Sequence, residues 1–361
     1  MMPIPMNTYL LALIVTVAYV VVACGGSGDN GAVVAQRTPG AAAPRNLIAF
    51  GAENDAGDHA LYIAQPDGTS ALKLVDDLQS VTFPRWSPDG ARIAFIAGGG
   101  RGPGTKAALR VYDFDGAITT TISENVLASG DEPPMAWSPD GARIAFIDAN
   151  DGGTLRVYDF DKTELLDEPA VLATAIDWST NDEFAIVAPA ADPASVEVST
   201  LQPGDDEPRL RLTLGGAASQ PAWSLAGESL AFWSGPSIEL TGRTLFVLPD
   251  GAQSADDLGP GTDPVWSGDA RLAYSRPATP GTRGELDIYV AGLDGEQPAR
   301  VTQSITLDRW PSWSPAADAI AYLALADAST AFVCVIALES LDNTCFDLPG
   351  LTPSAPAWSP Y

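Results

Sequence analysis

The sequence predicts an all-β protein built from seven four-stranded antiparallel repeats closed into a ring. Three observations predict it. The pair Trp-Ser recurs seven times, at Trp86, Trp137, Trp178, Trp223, Trp266, Trp313 and Trp358, with spacings of 51, 41, 45, 43, 47 and 45 residues. Thirty prolines and 34 glycines spread through 361 residues interrupt the chain too often for long helices and suit many short strands. The first and last repeats are each incomplete, and what one lacks the other supplies. A strand-rich period in the forties reads as the blades of a β-propeller rather than as a helical array.

Within a repeat, local chemistry assigns each element. The stretch "WSPDGARIAFI" stands at 86–96 and again at 137–147. A short extended Pro-x-Trp segment opens the unit, where proline suits the exposed start of an edge strand. In Ser-Pro-Asp-Gly, proline presets φ for a type I turn, Asp tolerates the next position, and Gly takes the left-handed position that completes the hairpin. "ARIAF" returns as a second strand, apolar on both faces because neighbouring blades cover both. A variable loop leads to a third strand, seen as "ALYIA", "LRVYDF", "TLFVL" and "DIYVA". A second tight turn ("PDG", "DFDG", "LDG") and a short fourth strand complete the unit. A tryptophan in every repeat supplies a large rigid surface for packing blade on blade. Trp233 and Trp310 fall outside the repeat position, and the repeat does not account for them.

The ends carry the closure. "PAWSPY" at the C-terminus is a first strand without a second, and "RNLIAF" at 45–50 is a second strand without a first. Aligned on the repeat, Tyr361 falls at the position of Asp89 and Arg45 at that of Gly90, and the joined ends give a spacing of 45 residues. Pairing of Pro356 to Pro360 with Leu47 to Phe50 then seals the ring and removes its open edges.

The unit Pro-x-Trp-Ser-Pro-Asp-Gly-x-x-Ile-Ala-Phe, followed by an Ile-Tyr-Val-like strand and an Asp-Gly turn, resembles the TolB-type, WD40-like β-propeller repeat over residues 45–361. The turn is complete at Trp86 and Trp137 and reduced to "WSTND", "WSLAG", "WSGD" and "WSPAA" at Trp178, Trp223, Trp266 and Trp313. The resemblance implies a fold more than a function. TolB proteins carry an α/β domain ahead of the propeller that no segment here matches, so a Tol-Pal role is not carried over.

Residues 1–23 read as a lipoprotein signal peptide. Tyr9 to Ala23 is a nearly unbroken apolar run, shorter than the roughly 20 residues that span a bilayer. It ends in Val-Val-Ala-Cys-Gly, which resembles a bacterial lipobox and implies acylation of Cys24 after cleavage before it. The leader departs from the usual pattern in having no Lys or Arg. An uncleaved anchor over residues 1–26 is the alternative; both place the remainder at a membrane surface outside the cytoplasm. Residues 24–44, rich in Gly and Ala and without hydrophobic periodicity, read as a flexible tether.

The net charge of −27 repels nucleic acid and points to a basic partner, a cation or simple solubility. With Cys24 acylated, Cys334 and Cys345 remain, on the expected third and fourth strands of the last blade. Hairpin pairing there brings them within bridging range, and a bridge implies an oxidising compartment.

Catalytic signatures are scarce. His59 is the one histidine, in the polar loop "NDAGDHA", which argues against a Ser-His-Asp hydrolase, and no Gly-x-Ser-x-Gly elbow is present. Asp113-Phe114-Asp115-Gly116 resembles the start of a calcium loop but lacks the later acidic ligand and occupies the ordinary turn position. No metal or cofactor is implied. Stereotyped turns occupy one side of the ring, and long divergent loops the other. Immediately before the repeat tryptophans most blades place Ala, Val or Ser, but two place Arg85 and Asp177. With Asp131, Glu132, Asp263, Asp308, Arg309 and Trp310 they are the candidates for a rim around the channel mouth, the bland alternative being solvated loop charge. The functional expectation is a lipid-anchored, non-catalytic scaffold that binds a protein, peptide or glycan on its loop face. The alternatives are a propeller glycan lyase or hydrolase using those carboxylates, and a structural envelope component.

Overall fold

Every Trp-Ser sequence ends one strand and begins a turn that the serine itself ties off. In the computed structural model, which describes residues 45–98, 105–128, 131–166, 171–240, 242–278, 285–292, 297–327 and 329–361, Ser87 Oγ donates to Asp89 Oδ1 (2.5 Å) and accepts from the backbone N–H of Arg92 (2.9 Å). Asp89 Oδ1 accepts from the N–H of Ala91 (3.0 Å), and Gly90, at φ +67°, donates its N–H to the Ser87 carbonyl (2.8 Å). The second copy repeats the arrangement, with Ser138 donating to Asp140 (2.6 Å) and accepting from Arg143 N–H (2.8 Å). The reduced copies keep it too. Ser179, Ser224, Ser267 and Ser314 each accept a backbone N–H from the following strand, at 2.9–3.1 Å. Where glycine has been lost, Asp182, Ala270 and Ala317 hold the same left-handed position at φ +59°, +63° and +56°. Sequence decay has therefore removed the preferred residue without removing the conformation.

The strands form antiparallel sheets with almost no helix, a single 3₁₀ turn at Asn150–Gly152 among the described residues. Two sheets of four strands run Ala175–Trp178, Phe184–Pro189, Ser195–Leu201, Arg209–Gly215 and Ala217–Trp223, Ser229–Gly235, Thr244–Pro249, Asp256–Pro260. Two sheets of eight strands are each a pair of such units joined by one residue pair, Val126 with Asp148 and Leu286 with Leu307. The remaining sheet mixes the chain ends: Ile48–Asn54, His59–Ala64 and Leu72–Leu78 follow in order, and Leu351–Pro353 and Ala357–Trp358 pair with the first of them. Ile48 stands opposite Trp358 and Ala49 opposite Ala357, while Leu47 and Ser359 exchange hydrogen bonds in both directions. Residues 1–44, and with them the expected signal peptide, tether and Cys24, lie outside the described residues.

The core lies between units rather than within one. The second strands are buried on both faces, as in Arg92–Ala97, where Ile93, Ala94 and Phe95 have no exposed surface. Each hydrophobic cluster joins two units. One packs Leu61 and Leu74 against Phe95 and Trp86, and another packs Phe50 and Trp358 against Leu323 and Val333, so the end-sharing sheet contacts the last unit as well as the second. A disulfide joins Cys334 to Cys345 across the third and fourth strands of the last unit, where the two residues stand opposite each other. His59 opens a strand beside Glu53, 3.9 Å away, and Asp113 both pairs with Arg92 (2.9 Å) and caps its own turn at the N–H of Asp115 (2.7 Å).

The first strands carry a distortion that positions the site. In four of them the residue before the proline has positive φ: Phe83 (+51°), Gln220 (+54°), Asp263 (+56°) and Trp310 (+52°). The pairing with the second strand slips at each of these places, a β-bulge that re-aims a side chain. A non-glycine residue in this region costs on the order of 1 kcal/mol or more, and such strain collects at functional sites.

The turn geometry makes a prediction. At φ near +60° alanine is strained and glycine is not, so Ala270→Gly with Ala317→Gly should stabilise the protein by roughly 1–2 kcal/mol together. Thermal unfolding should show a midpoint about 2–3 °C higher. A lowered midpoint would mean that these turns do not hold the left-handed conformation.

Candidate functional site

Each unit turns its first strand toward a common cavity of about 250 Å³. The apolar part of its wall is stiff, formed by Pro84, Pro133, Pro221, Pro264, Pro311 and Pro356, with Phe83 and several repeat tryptophans between them. Antiparallel order sends the Trp-Ser turns to one side of the sheets. The second-to-third strand loops and the connections into the next unit emerge on the other. The bulged residues sit toward that loop side, where the polar groups converge.

The cluster is organised around Asp131 and Glu132, which enter from the connection between the second and third units and are bonded by residues of the fifth and seventh. Asp131 receives Arg243 Nη2 on Oδ2 (2.8 Å) and Arg309 Nη1 on Oδ1 (3.1 Å). Its backbone carbonyl accepts both the Trp310 indole N–H and Gln220 Nε2, each at 3.0 Å. Glu132 accepts the Gln220 backbone N–H (2.7 Å) and the Ser219 hydroxyl. Arg309 also forks onto Asp263 at 2.9 and 2.7 Å, and Gln220 bonds the same carboxylate at 2.8 Å. Bidentate guanidinium–carboxylate pairs of this kind combine strength with fixed orientation.

The two tryptophans outside the repeat find their place here. Arg243 lies 4.0 Å over the ring of Trp233 and Arg309 lies 4.2 Å over that of Trp310, so each is the platform for one arginine of the cluster. Trp310 is in turn held edge-on by Phe83, at 6.0 Å between ring centres.

Burial decides the charges. Desolvation works against the Arg309 guanidinium, but Asp263 and Asp131 outweigh it and raise its pKa. Burial also works to raise the Asp263 pKa, and there Arg309 and Gln220 prevail and hold the carboxyl below its ordinary range. Glu132 goes the other way. Its burial, only partly offset by Ser219 and the Gln220 N–H, pushes its pKa up to about 7. Asp177 accepts the Trp223 backbone N–H (2.7 Å), and burial raises its pKa to about 6 against the opposing pull of that bond and of Arg85. Arg85 lines the same cavity, and its guanidinium makes no hydrogen bond or ion pair among the described residues.

Of the residues singled out in the sequence, Asp131, Glu132, Asp263, Arg309 and Trp310 thus form one bonded cluster. Arg85 and Asp177 line the cavity beside it. Asp308 stands apart, fully buried and bonded to Ser304 (2.9 Å) and Thr306 (2.5 Å). The sequence reading missed Ser219, Gln220, Arg243 and Phe83. Gln220 and Phe83 do carry a signal, since with Asp263 and Trp310 they occupy the first position of X-Pro-x-Trp, whereas Arg243 follows a loop and carries none.

The raised pKa values fix a pH dependence. Between the ordinary value of 4.5 and about 7, native Glu132 holds a proton that the unfolded chain has lost, so stability falls as pH rises through this window. Asp177 acts in the same direction between 3.8 and about 6. Glu132→Gln should flatten the decline of the thermal midpoint between pH 4.5 and 7.5; an unchanged slope would show that Glu132 ionises as freely as a surface acid.

No protein-family model matches the chain. Over 115 residues it is 31% identical to the Tol-Pal system protein TolB of Alcanivorax borkumensis, a match covering 32% of this chain and 25% of that protein. It spans a quarter or less of the curated relatives it matches. Among solved structures it is similar to the β-propeller domain of the Trilobed protease from Pyrococcus furiosus, described as having an open velcro topology (TM-score 0.62, 14% identity, 85% of this chain and 97% of that one). It is also similar to TolB from Acinetobacter baumannii (TM-score 0.58, 15% identity, 88% and 67%). At that identity the structures speak for the fold alone. Repeat, strand order and these likenesses together identify the fold of the described part of the chain as a β-propeller of the kind found in TolB.

Proposed function

We propose that the chain is a binding scaffold outside the cytoplasm, held at a membrane by lipid on Cys24, which receives a segment of a partner protein at the loop-side mouth of its cavity. The observation that carries this reading is the cavity itself. A proline- and aromatic-lined space with a few convergent, fixed polar groups is the usual form of a recognition site. Ile238 and Ile305, 65% and 87% exposed, lie on the same side and add apolar contact surface. We infer further that the sheets are seven four-stranded blades of a ring closed by the chain ends. In support, each eight-stranded sheet divides at its single-pair junction, and Trp358 pairs with Ile48. The disulfide and the likeness to TolB agree with an oxidising, extracytoplasmic location.

The acidity of the chain is expected to speed association with a basic partner and to lose that effect as salt rises. The test uses the partner that co-purifies with the acylated chain from its native membrane. Ile238→Arg with Ile305→Arg should weaken its binding at least tenfold, while Ile118→Arg, 58% exposed on the turn side, should leave it unchanged. Equal effects of the two variants would put recognition elsewhere.

A second reading, a glycan lyase or hydrolase, is favoured by one observation. Glu132 and Asp177 line the same cavity with raised pKa values near neutrality, as acid–base chemistry requires. Under it, Asp177→Asn abolishes turnover of a glycan panel and spares partner binding.

A further inference from the structure

The Asp131–Glu132 segment is bonded more thoroughly than a connecting loop requires. Six donors converge on two residues: Arg243, Arg309, the Trp310 indole, the Gln220 side chain, the Gln220 backbone N–H and the Ser219 hydroxyl. None of them belongs to the units that the segment connects. All come from the opposite part of the ring, and the arginines are almost completely buried, with side-chain exposures of 2% and 5%. The Asp131 side chain remains 40% exposed.

The donors make a receptor whose shape can be read from what fills it. Two guanidinium groups take the first carboxylate, and a backbone N–H with a hydroxyl takes the second. An indole N–H and a primary amide take the peptide carbonyl beside the first side chain. A sugar acid or a free dicarboxylate satisfies the carboxylate positions and has no peptide carbonyl for Trp310 and Gln220. The receptor is stiffened before anything binds. Gln220, Asp263 and Trp310 are set by bulges, and both arginines rest on tryptophan rings.

We propose that this receptor is a site for an acidic peptide segment carrying adjacent carboxylates, and that Asp131–Glu132 is its internal occupant, displaced when such a segment of a partner enters. The proposal deepens the reading of the loop side as the recognition face. It separates the charge there into two parts: the overall acidity that steers the encounter, and a buried cationic receptor at the mouth with the opposite preference.

An internal competitor on a short connection acts at an effective concentration on the order of millimolar, so a peptide that binds the empty site in the 0.1 mM range loses about tenfold in apparent affinity while the segment is in place. The probe is a synthetic, end-blocked peptide copying residues 129–134, Ser-Gly-Asp-Glu-Pro-Pro, with Ser-Gly-Asn-Gln-Pro-Pro as control. Calorimetric titration into Asp131→Ala with Glu132→Ala should give binding at least tenfold tighter than into the wild type. The control peptide should not bind, and adding Arg309→Gln should abolish the interaction. Titration into the wild type gives a second readout that does not depend on the variant folding. The entering peptide returns an equivalent acceptor to the Trp310 indole, so for this titration the peptide is end-labelled with a dansyl group, whose quenching of tryptophan emission should saturate at millimolar peptide and be weaker in Trp310→Phe.

Equal affinity for wild type and emptied variant, or no emission change in the wild type up to 10 mM peptide on the order of the effective concentration above, would overturn the proposal and leave the segment a fixed brace. Glutarate or galacturonate binding as tightly as the peptide would overturn its peptide specificity. Loss of peptide binding together with intact, Ile238- and Ile305-dependent partner capture would refute this inference alone; the converse would refute the partner reading and spare the receptor.

Discussion

An indole N–H that reaches back one repeat is the contact on which the arrangement of the sheets depends. Trp86 donates to the carbonyl of Ala357, Trp137 to Arg85, Trp266 to Ala222 and Trp313 to Val265, all between 2.9 and 3.1 Å. In each case the acceptor is the residue before the previous tryptophan, so every such bond sets the angle and height of one first strand against its neighbour. Apolar burial between the rings supplies most of the attraction but is indifferent to small slips, whereas a buried N–H must meet its acceptor or cost about 1–3 kcal/mol. Three repeat tryptophans depart from this pattern, and one of them, Trp358, donates to Asn46 Oδ1 (2.9 Å) beside the junction of the chain ends. Trp178 turns its indole to Asp182 (2.8 Å), and the Trp223 indole is buried without a partner. These two flank Asp177, whose carboxylate takes the Trp223 backbone N–H instead. At these two repeats the clamp is missing beside an acid of the cavity.

Once the first strands are fixed at this spacing, the bulge before each proline determines what faces the mouth. The backbone there is strained, and it turns Phe83, Gln220, Asp263 and Trp310 to line the cavity. Three of the acids at the mouth are held by donors from other units, which makes this part of a chain of net charge −27 locally balanced. Arg243, Arg309 and Asp263 lie deep, and Asp131 is the acid that reaches the surface. A buried ion pair is weak evidence of stability in itself, because desolvation offsets much of the attraction; its value lies in fixing one arrangement against others.

The sequence made the repeat legible because a propeller blade is specified locally. Serine, proline, Asp and Gly at fixed offsets describe a turn whose chemistry survives even where Ala270 and Ala317 replace glycine. The complementary ends, Trp358 and Arg45, could be matched for the same reason. The cluster at the mouth was legible only in part. Arg85 and Asp177 stood out where the other repeats place small residues, and Asp131, Glu132, Asp263, Arg309 and Trp310 were candidates as their neighbours in the repeat. Nothing local says that Asp131 crosses to Arg243, 112 positions away, or that Trp233 and Trp310 serve as arginine platforms. Such pairings become visible only when first strands far apart in sequence are brought to one cavity.

Hydrogen exchange at the tryptophan indoles, followed by heteronuclear NMR, tests the repeat-to-repeat clamp directly, and Trp86 is the decisive signal because its acceptor, Ala357, lies across the junction of the chain ends. The indole protons of Trp86, Trp137, Trp266 and Trp313 should exchange together and slowly, as a cooperative set whose opening requires the sheets to separate. Exchange of Trp86 at the rate of a solvent-exposed indole, with the other three protected, would mean that the ends do not close the ring. Fast exchange at all four would contradict the clamp itself.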